Sequence, residues 1–380
     1  MNFEDLQGGK ICIYPYSEEV QLVLRHGALL SSTWKVAALV SPRSWGFVGQ
    51  EIPCGSETLT VEPSLDHMPD DIDYILIPEF FGNLIDSSVV KRMLSRIVPV
   101  LGRLRGVMLS AVLDDENYEM LKNSCNGICE FIDLNLISSD LDPVQQVEKR
   151  KGILEIDVPV VSIMGMWDST DKFEVSLALR EKFIGNGYKV TQIGSRNYCE
   201  IMGFHSFPRF MLDPTEGEED KIYRFNRYLK HLVEEESPDV LIITVPGGTQ
   251  QLNNQFPNRF GILPFLVSKA VAFDALILCT LYEPNAGELF ELISTSFKYK
   301  YGCEADAFHM SNTVFDAASI SEKEAIRLNH IARSDVEKAV NENYAGLAAP
   351  MVDIYSAGGA EKLYNTIVDK LTENVADAML

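Results

Sequence analysis

From Val158 to Ser195 the chain reads VPVVSIMGMWDSTDKFEVSLALREKFIGNGYKVTQIGS. Val158–Met164 is apolar and largely β-branched, as a strand buried on both faces must be, and Pro159 stands at its very start, where a strand tolerates proline. A polar loop, Gly165 to Asp171, leads into a helical pattern over Lys172–Ile184 with Val175, Leu177, Leu179 and Phe183 as its apolar positions. Gly185-Asn186-Gly187 ends that helix, and Tyr188–Ile193 begins a second strand. Strand, helix-opening loop and glycine-terminated return make a βαβ unit, whose helix N-terminus offers unpaired N–H groups to an anion.

The spacing is that of a phosphate loop, G-x-x-x-x-G-K-[ST]. Lys172 stands at the lysine position, but Met166 occupies the first glycine position, Asp171 the second, and Phe173 the hydroxyl position. Glycine lets the backbone wrap a phosphate without a Cβ in the way, and an aspartate there adds a negative charge beside a polyanion. The missing hydroxyl is the one that ligates Mg²⁺, and phenylalanine cannot replace it. The pattern predicts a P-loop fold with a degenerate loop that binds ATP weakly at most and does not hydrolyse MgATP in the ordinary way. Lys172 has two readings, a point charge on phosphate or a solvated lysine in a first helical turn. Asp168 and Asp171 could orient a water or metal, or simply cap the helix.

The second half keeps alternating. Helices are predicted over Asp220–Glu235, Ile262–Val271, Glu288–Tyr299, Glu322–Glu342 and Gly359–Thr372; strands over Val240–Val245, Ala275–Leu281, Ala305–Met310 and Pro350–Tyr355. VLIITVP runs into Gly247-Gly248, where a second loop would face phosphates, with no acid to orient a metal. Asn312, after the strand that carries His309, could hydrogen-bond a base edge; His309 itself reads as a core histidine. Cys199, Glu200 and His205 form a weak nucleophile–base candidate set. No metal site is expected, since Cys125 and Cys129 lack further ligands at suitable spacing.

The first half reads as its own α/β domain. Its strands are Lys10–Tyr14, Lys35–Val40, Thr58–Val61, Tyr74–Pro78 and Gly106–Leu113; its helices are Glu18–Leu30, Ser88–Leu104 and Asp115–Asn123. Without G-x-G-x-x-G, a dinucleotide site is unsupported. At 380 residues the chain is long enough for two or three domains of about 150 residues. Two doubly wound parallel-sheet domains are expected: residues 1–145, Rossmann- or flavodoxin-like, and 152–380, P-loop-like, joined by the polar run Asp140–Arg150.

A net charge of -22 and a pI near 4.7 disfavour nucleic acid and anionic membrane. With seven cysteines, no apolar span of membrane length and an acidic N-terminus, a reduced cytoplasmic setting is expected.

In spacing and order, Ile163-Met164-Gly165 through Asp171-Lys172-Phe173, Gly247-Gly248 and Asn312 are similar to dethiobiotin synthetase and its P-loop relatives. That resemblance implies phosphate contacts from Gly165, Lys172, Gly247 and Gly248 and an adenine contact from Asn312. The phrases KICIYPYS, LVSPRSWG, GYKVTQIGSRNYCEIMGFHSFPRFM, FNRYLK, FGILPFLVSKAV and CTLYE look like a clostridial family called peptide maturation system protein. The resemblance implies work beside a ribosomally made precursor peptide and its radical S-adenosylmethionine modifying enzyme, without naming a reaction.

Three functions stay open on the sequence: an accessory protein of peptide maturation, an ATP-dependent enzyme activating a carboxylate or amine by phosphoryl transfer, and a small-molecule-binding module using an inter-domain cleft. Trp45, Trp167, Arg196, Tyr198 and His205 are the expected contact residues. A homo-oligomer is compatible with the sequence and not decided by it.

Overall fold

The computed structural model describes residues 8–17, 20–30, 34–55, 57–79, 86–136, 152–251, 253–254, 257–316 and 328–378. The alternation of strands and helices resolves there into two parallel-dominated α/β sheets of seven strands each. The chain divides into two units, Met1–Asp142 with Arg196–Arg209, and Pro143–Ser195 with Phe210–Leu380. The predicted linker Asp140–Arg150 lies outside the described residues.

In the first unit, β1 is Gly9–Ile13, α1 Gln21–Arg25, β2 Trp34–Val40, β3 Glu51–Cys54, β4 Glu57–Glu62, β5 Tyr74–Ile77, α2 Ser87–Ser95, β6 Gly106–Leu109, α3 Asp115–Cys125 and β7 Glu130–Asp133. The sheet order is β3-β4-β2-β1-β5-β6-β7, parallel except for the β3–β4 hairpin. The chain moves outward from β1 in one direction and then returns to place β5 on its other flank, the doubly wound pattern. The predicted Ser88–Leu104 helix stops at Ser95, and a 3-10 turn, Val98–Arg103, follows with proline at its start. Pro99 has no N–H to continue the α-helical ladder. Both β3 and β7 were invisible to the sequence reading; each is only four residues long. Trp45 packs against the core of its own unit, and Trp34 meets Tyr74 edge-on at 5.4 Å.

The segment Arg196–Arg209 was expected in the second domain and belongs to the first unit. Arg196 pairs with Glu79 at 2.7 Å, and the Asn197 amide donates to Asn135 Oδ1 at 2.6 Å. These partners lie more than sixty positions away, so no local composition change announces them.

In the second unit, β8 is Val160–Gly165, α4 Lys172–Gly185, β9 Val190–Gly194, α5 Glu218–Glu236, β11 Val240–Thr244, α6 Ile262–Ala270, β12 Ala275–Thr280, α7 Gly287–Tyr301, β13 Ala307–Met310, β16 Met351–Val352 and α9 Gly359–Ala378. The order of these strands is β9-β11-β8-β12-β13-β16; β10, His205–Ser206, lies in the segment Arg196–Arg209. Every residue of β8, β11 and β12 is buried. Central strands of a parallel sheet are covered on both faces, which is why they read as unbroken apolar runs. From β8 the chain crosses to β9 and returns through β11, and β12 then flanks β8 on the other side. This reversal puts the loop after β8 at the topological switch point, outside the carboxyl ends of the strands.

The predicted Glu322–Glu342 helix is corrected. Its first residues lie outside the described ones, Leu328–His330 is a strand, β15, and only Arg333–Asn343, α8, is helical. β15 pairs antiparallel with Thr313–Phe315, β14, so a hairpin follows β13 and leads into α8. No helix among the described residues is long and apolar enough to cross a membrane.

Candidate functional site

The loop between β8 and α4 closes on itself. Lys172 is 5% exposed, although a first-turn lysine is usually solvated. Its ammonium donates to the carbonyl of Trp167 at 3.1 Å and to the carbonyl of Gly247, and lies 3.9 Å from Asp168 Oδ1. Thr170 Oγ1 donates to the same Trp167 carbonyl at 2.9 Å. Gly165 is wedged beneath: a Cβ there would lie 2.6 Å from Trp167 O and 2.7 Å from Lys172 Cδ. The Gly247-Gly248 loop packs alongside. Gly247 has φ 79°, and a Cβ on Gly248 would lie 2.7 Å from Met166 O. Gly165, Asp168, Lys172, Gly247 and Gly248 are thus brought together around one lysine.

Asn312 is engaged at the β14–β15 hairpin: its side-chain amide donates to Ile331 O at 3.0 Å, and its backbone carbonyl accepts from Ile331 N at 2.9 Å. Phe315 of that hairpin meets Trp167 edge-on at 5.4 Å.

Asp171 has the left-handed backbone that glycine adopts most readily, with φ 58° and ψ 17°. Holding a non-glycine residue in the left-handed region costs about 1–2 kcal/mol. Its side chain makes no helix cap and turns away from the loop. Oδ2 accepts from both terminal nitrogens of Arg333 at 3.2 Å and faces His309 Nε2 at 3.5 Å. Burial pushes the Asp171 carboxyl up, but the facing His309 and the Arg333 guanidinium outweigh it and hold the carboxyl below its ordinary range. The expected repulsion between Asp171 and a bound polyanion is thereby offset by paired charge.

His309 is wholly buried on β13, in line with a core position, but its Nε2 is left without a hydrogen bond among the described residues. Nδ1 lies 3.1 Å from the Val352 carbonyl, which can only accept, so Nδ1 carries a proton. Nε2 then bears a second proton only in the imidazolium form. Arg333 stacks on the Tyr355 ring, 3.5 Å from its centroid, and the Tyr355 hydroxyl donates to the buried Glu174 in the first turn of α4. Desolvation, then the neighbouring Asp171 and Glu174, raise the Tyr355 phenol well above its ordinary value.

Arg333, Tyr355 and Glu174 were missed by sequence reasoning. Arg333 lies 162 positions from Asp171, and Tyr355 181 from Glu174; no motif spacing links them. Phe173, at the position of the Mg²⁺-ligating hydroxyl in the loop pattern, is 4% exposed. α4 is covered on most of its circumference, from Val175 and Leu179 in the sheet core to Phe183 against Tyr364 at 5.0 Å.

Cys199, Glu200 and His205 lie in the first unit. Cys199 is fully buried, its thiol donates to Arg196 O at 3.0 Å, and desolvation raises it well above its ordinary value. A thiol so placed stays protonated, whereas a nucleophile needs the thiolate. Glu200 accepts from Ser206 N at 2.8 Å and Ser206 Oγ at 2.5 Å rather than activating the thiol. Among the described residues, no group of three or more His, Cys, Asp or Glu could hold a metal ion.

No family model matches the chain, and no curated protein matches it. It is similar to the crystal structure of a DUF1611 family protein from Anabaena variabilis, at 12% identity over 95% of this chain and 100% of that one, with TM-score 0.60. A GTPase from Pyrococcus abyssi in apo form aligns with 56% of this chain and 97% of its own at 12% identity, TM-score 0.29. A type C pseudomurein peptide ligase from Methanothermus fervidus aligns with 80% of this chain and 44% of its own at 10% identity, TM-score 0.23. Scores this low carry nothing about function. The first likeness spans 95% of this chain and shows a shared α/β fold.

Proposed function

We propose that this chain is a non-hydrolysing accessory protein of ribosomal-peptide maturation, built on a nucleotide-binding fold whose phosphate loop is degenerate. The observation that carries the non-hydrolysing part is the junction of loop and helix. Lys172 is bonded to the loop's own carbonyls, and the next side chain is a buried phenylalanine where Mg²⁺ needs a hydroxyl. The pathway rests on the resemblance of the quoted sequence phrases to the clostridial peptide maturation system family. Its partners on this reading are the precursor peptide and the radical S-adenosylmethionine enzyme, met in the cytoplasm. The acidic chain would attract basic segments of either through a field that salt screens over about 8 Å at physiological strength.

Calorimetry and co-purification test this together. MgATP is expected to bind with Kd of about 1 mM, roughly -4 kcal/mol, without turnover. The precursor peptide or its modifying enzyme is expected to co-purify at low salt. Micromolar Mg²⁺-dependent binding with turnover lost in Lys172→Ala would favour the ATP-dependent enzyme instead. Failure to co-purify with either partner would remove the pathway assignment.

A further inference from the structure

Arg333 has no counterpart in the loop pattern, yet it lies against the residue that precedes Lys172. It opens α8, directly after the β14–β15 hairpin. A guanidinium carries five N–H donors in a fork that matches two oxygens of a carboxylate or phosphate. Here both prongs converge on the single oxygen Asp171 Oδ2, which His309 Nε2 also faces. The fork is therefore engaged without its two-oxygen match. Stacking on Tyr355, itself tied to Glu174 of α4, holds the guanidinium plane independently of Asp171. The Arg333 side chain keeps 35% of its surface exposed, so a solute can reach it. Two cations, Lys172 and Arg333, thus flank the start of α4. A polyphosphate bound at a loop of this kind needs its charge neutralised. Phe173 cannot hold the usual divalent ion, and a permanently charged guanidinium supplies positive charge without one.

We infer that Arg333 is the second cation of a metal-independent polyphosphate site at the start of α4, held in reserve by Asp171, with a free di- or triphosphate anion as its ligand. This rests on the phosphate-loop reading above. Binding would move Lys172 from the carbonyls of Trp167 and Gly247 onto phosphate oxygens. Arg333 would offer its fork to the same ligand. His309 Nε2, buried behind Asp171, would still face that carboxylate when the guanidinium turns away.

The test is calorimetry of the full chain with ATP and with tripolyphosphate, each in excess EDTA and in excess Mg²⁺. ATP is expected to bind at least as tightly in EDTA as in Mg²⁺, and tripolyphosphate to compete with it. Asp171→Gly should tighten metal-free ATP binding by about tenfold, the scale of one charge-assisted hydrogen bond. Adding Arg333→Gln should abolish that gain, and adding Arg333→Lys should restore little of it. A gain of affinity cannot come from misfolding, so the Asp171→Gly arm decides even if Arg333→Gln alone weakens the fold. No gain in Asp171→Gly, a gain that survives Arg333→Gln, or failure of tripolyphosphate to compete would overturn the inference. If co-purification with the pathway partners persists, those outcomes leave the accessory reading standing. Mg²⁺-dependent micromolar binding with turnover would overturn both.

Discussion

Replacing Phe173 by threonine would install the hydroxyl that a phosphate loop uses, and it is expected to damage the fold first. Phe173 is 4% exposed at the second position of α4. A buried phenylalanine removes about 150–250 Å² from water, or roughly 4–6 kcal/mol at about 25 cal/mol per Å². Threonine returns about one methyl group of this, and truncation of buried phenylalanine to alanine typically costs about 3–5 kcal/mol. The new hydroxyl finds no water at a position this buried and adds to the loss unless a backbone carbonyl accepts it. The expected net destabilisation is about 3–4 kcal/mol. In urea that moves the midpoint of the affected transition down by about 1–2 M. A chain of two units need not unfold in one step, so several probes are required to assign the transition. Phe173→Leu, which keeps the apolar volume, should cost under about 1.5 kcal/mol. A midpoint shift below about 0.3 M for Phe173→Thr would refute the packing argument. The corollary concerns loop repair. Asp171→Gly relieves a left-handed φ but gives up the pairing with Arg333, so it should be nearly neutral alone. The double change Asp171→Gly with Phe173→Thr can be read as a repaired loop only after its stability has been measured.

Gly165→Ala places a methyl group against Thr170 Oγ1, Trp167 O and Lys172 Cδ, and should destabilise by about 1–3 kcal/mol while raising the protease sensitivity of the loop; normal stability and an unchanged digestion pattern would mean the loop is not closed over Gly165. Glu200 gives a pH test in the first unit, because burial raises its carboxyl above the ordinary 4.5 against the lowering pull of Ser206. A raised folded pKa means its stabilising contribution is complete below the unfolded pKa and is lost as pH rises through the folded value. Glu200→Gln can keep both contacts with Ser206 and should therefore be more stable than the parent at neutral pH, with the advantage disappearing in acid; parallel stability–pH curves for the two proteins would count against a buried, raised carboxyl.

Long apolar runs and the breaks between them were legible in the residues, whereas four-residue strands such as β3 and β7 were not. The apolar runs of β8, β11 and β12 read as central parallel strands because burial on both faces leaves no polar alternation. The lysine at the start of α4 and the doubly wound order follow from helices alternating with such strands. Pro99 signalled a break that the apolar periodicity of Ser88–Leu104 hid, since proline acts on a single backbone bond and periodicity on a whole turn. What the tertiary structure decided are pairings between residues far apart in sequence. Arg196 joins Glu79 across 117 positions and carries its segment into the first unit. Arg333 turns Asp171 from an apparent obstacle to phosphate into a compensated charge. Phe173 looks like a first-turn surface residue until packing covers α4 on most sides. No local pattern carries these contacts, because the energy of a buried ion pair or a packed ring depends on which groups the fold brings together and how far it excludes water from them.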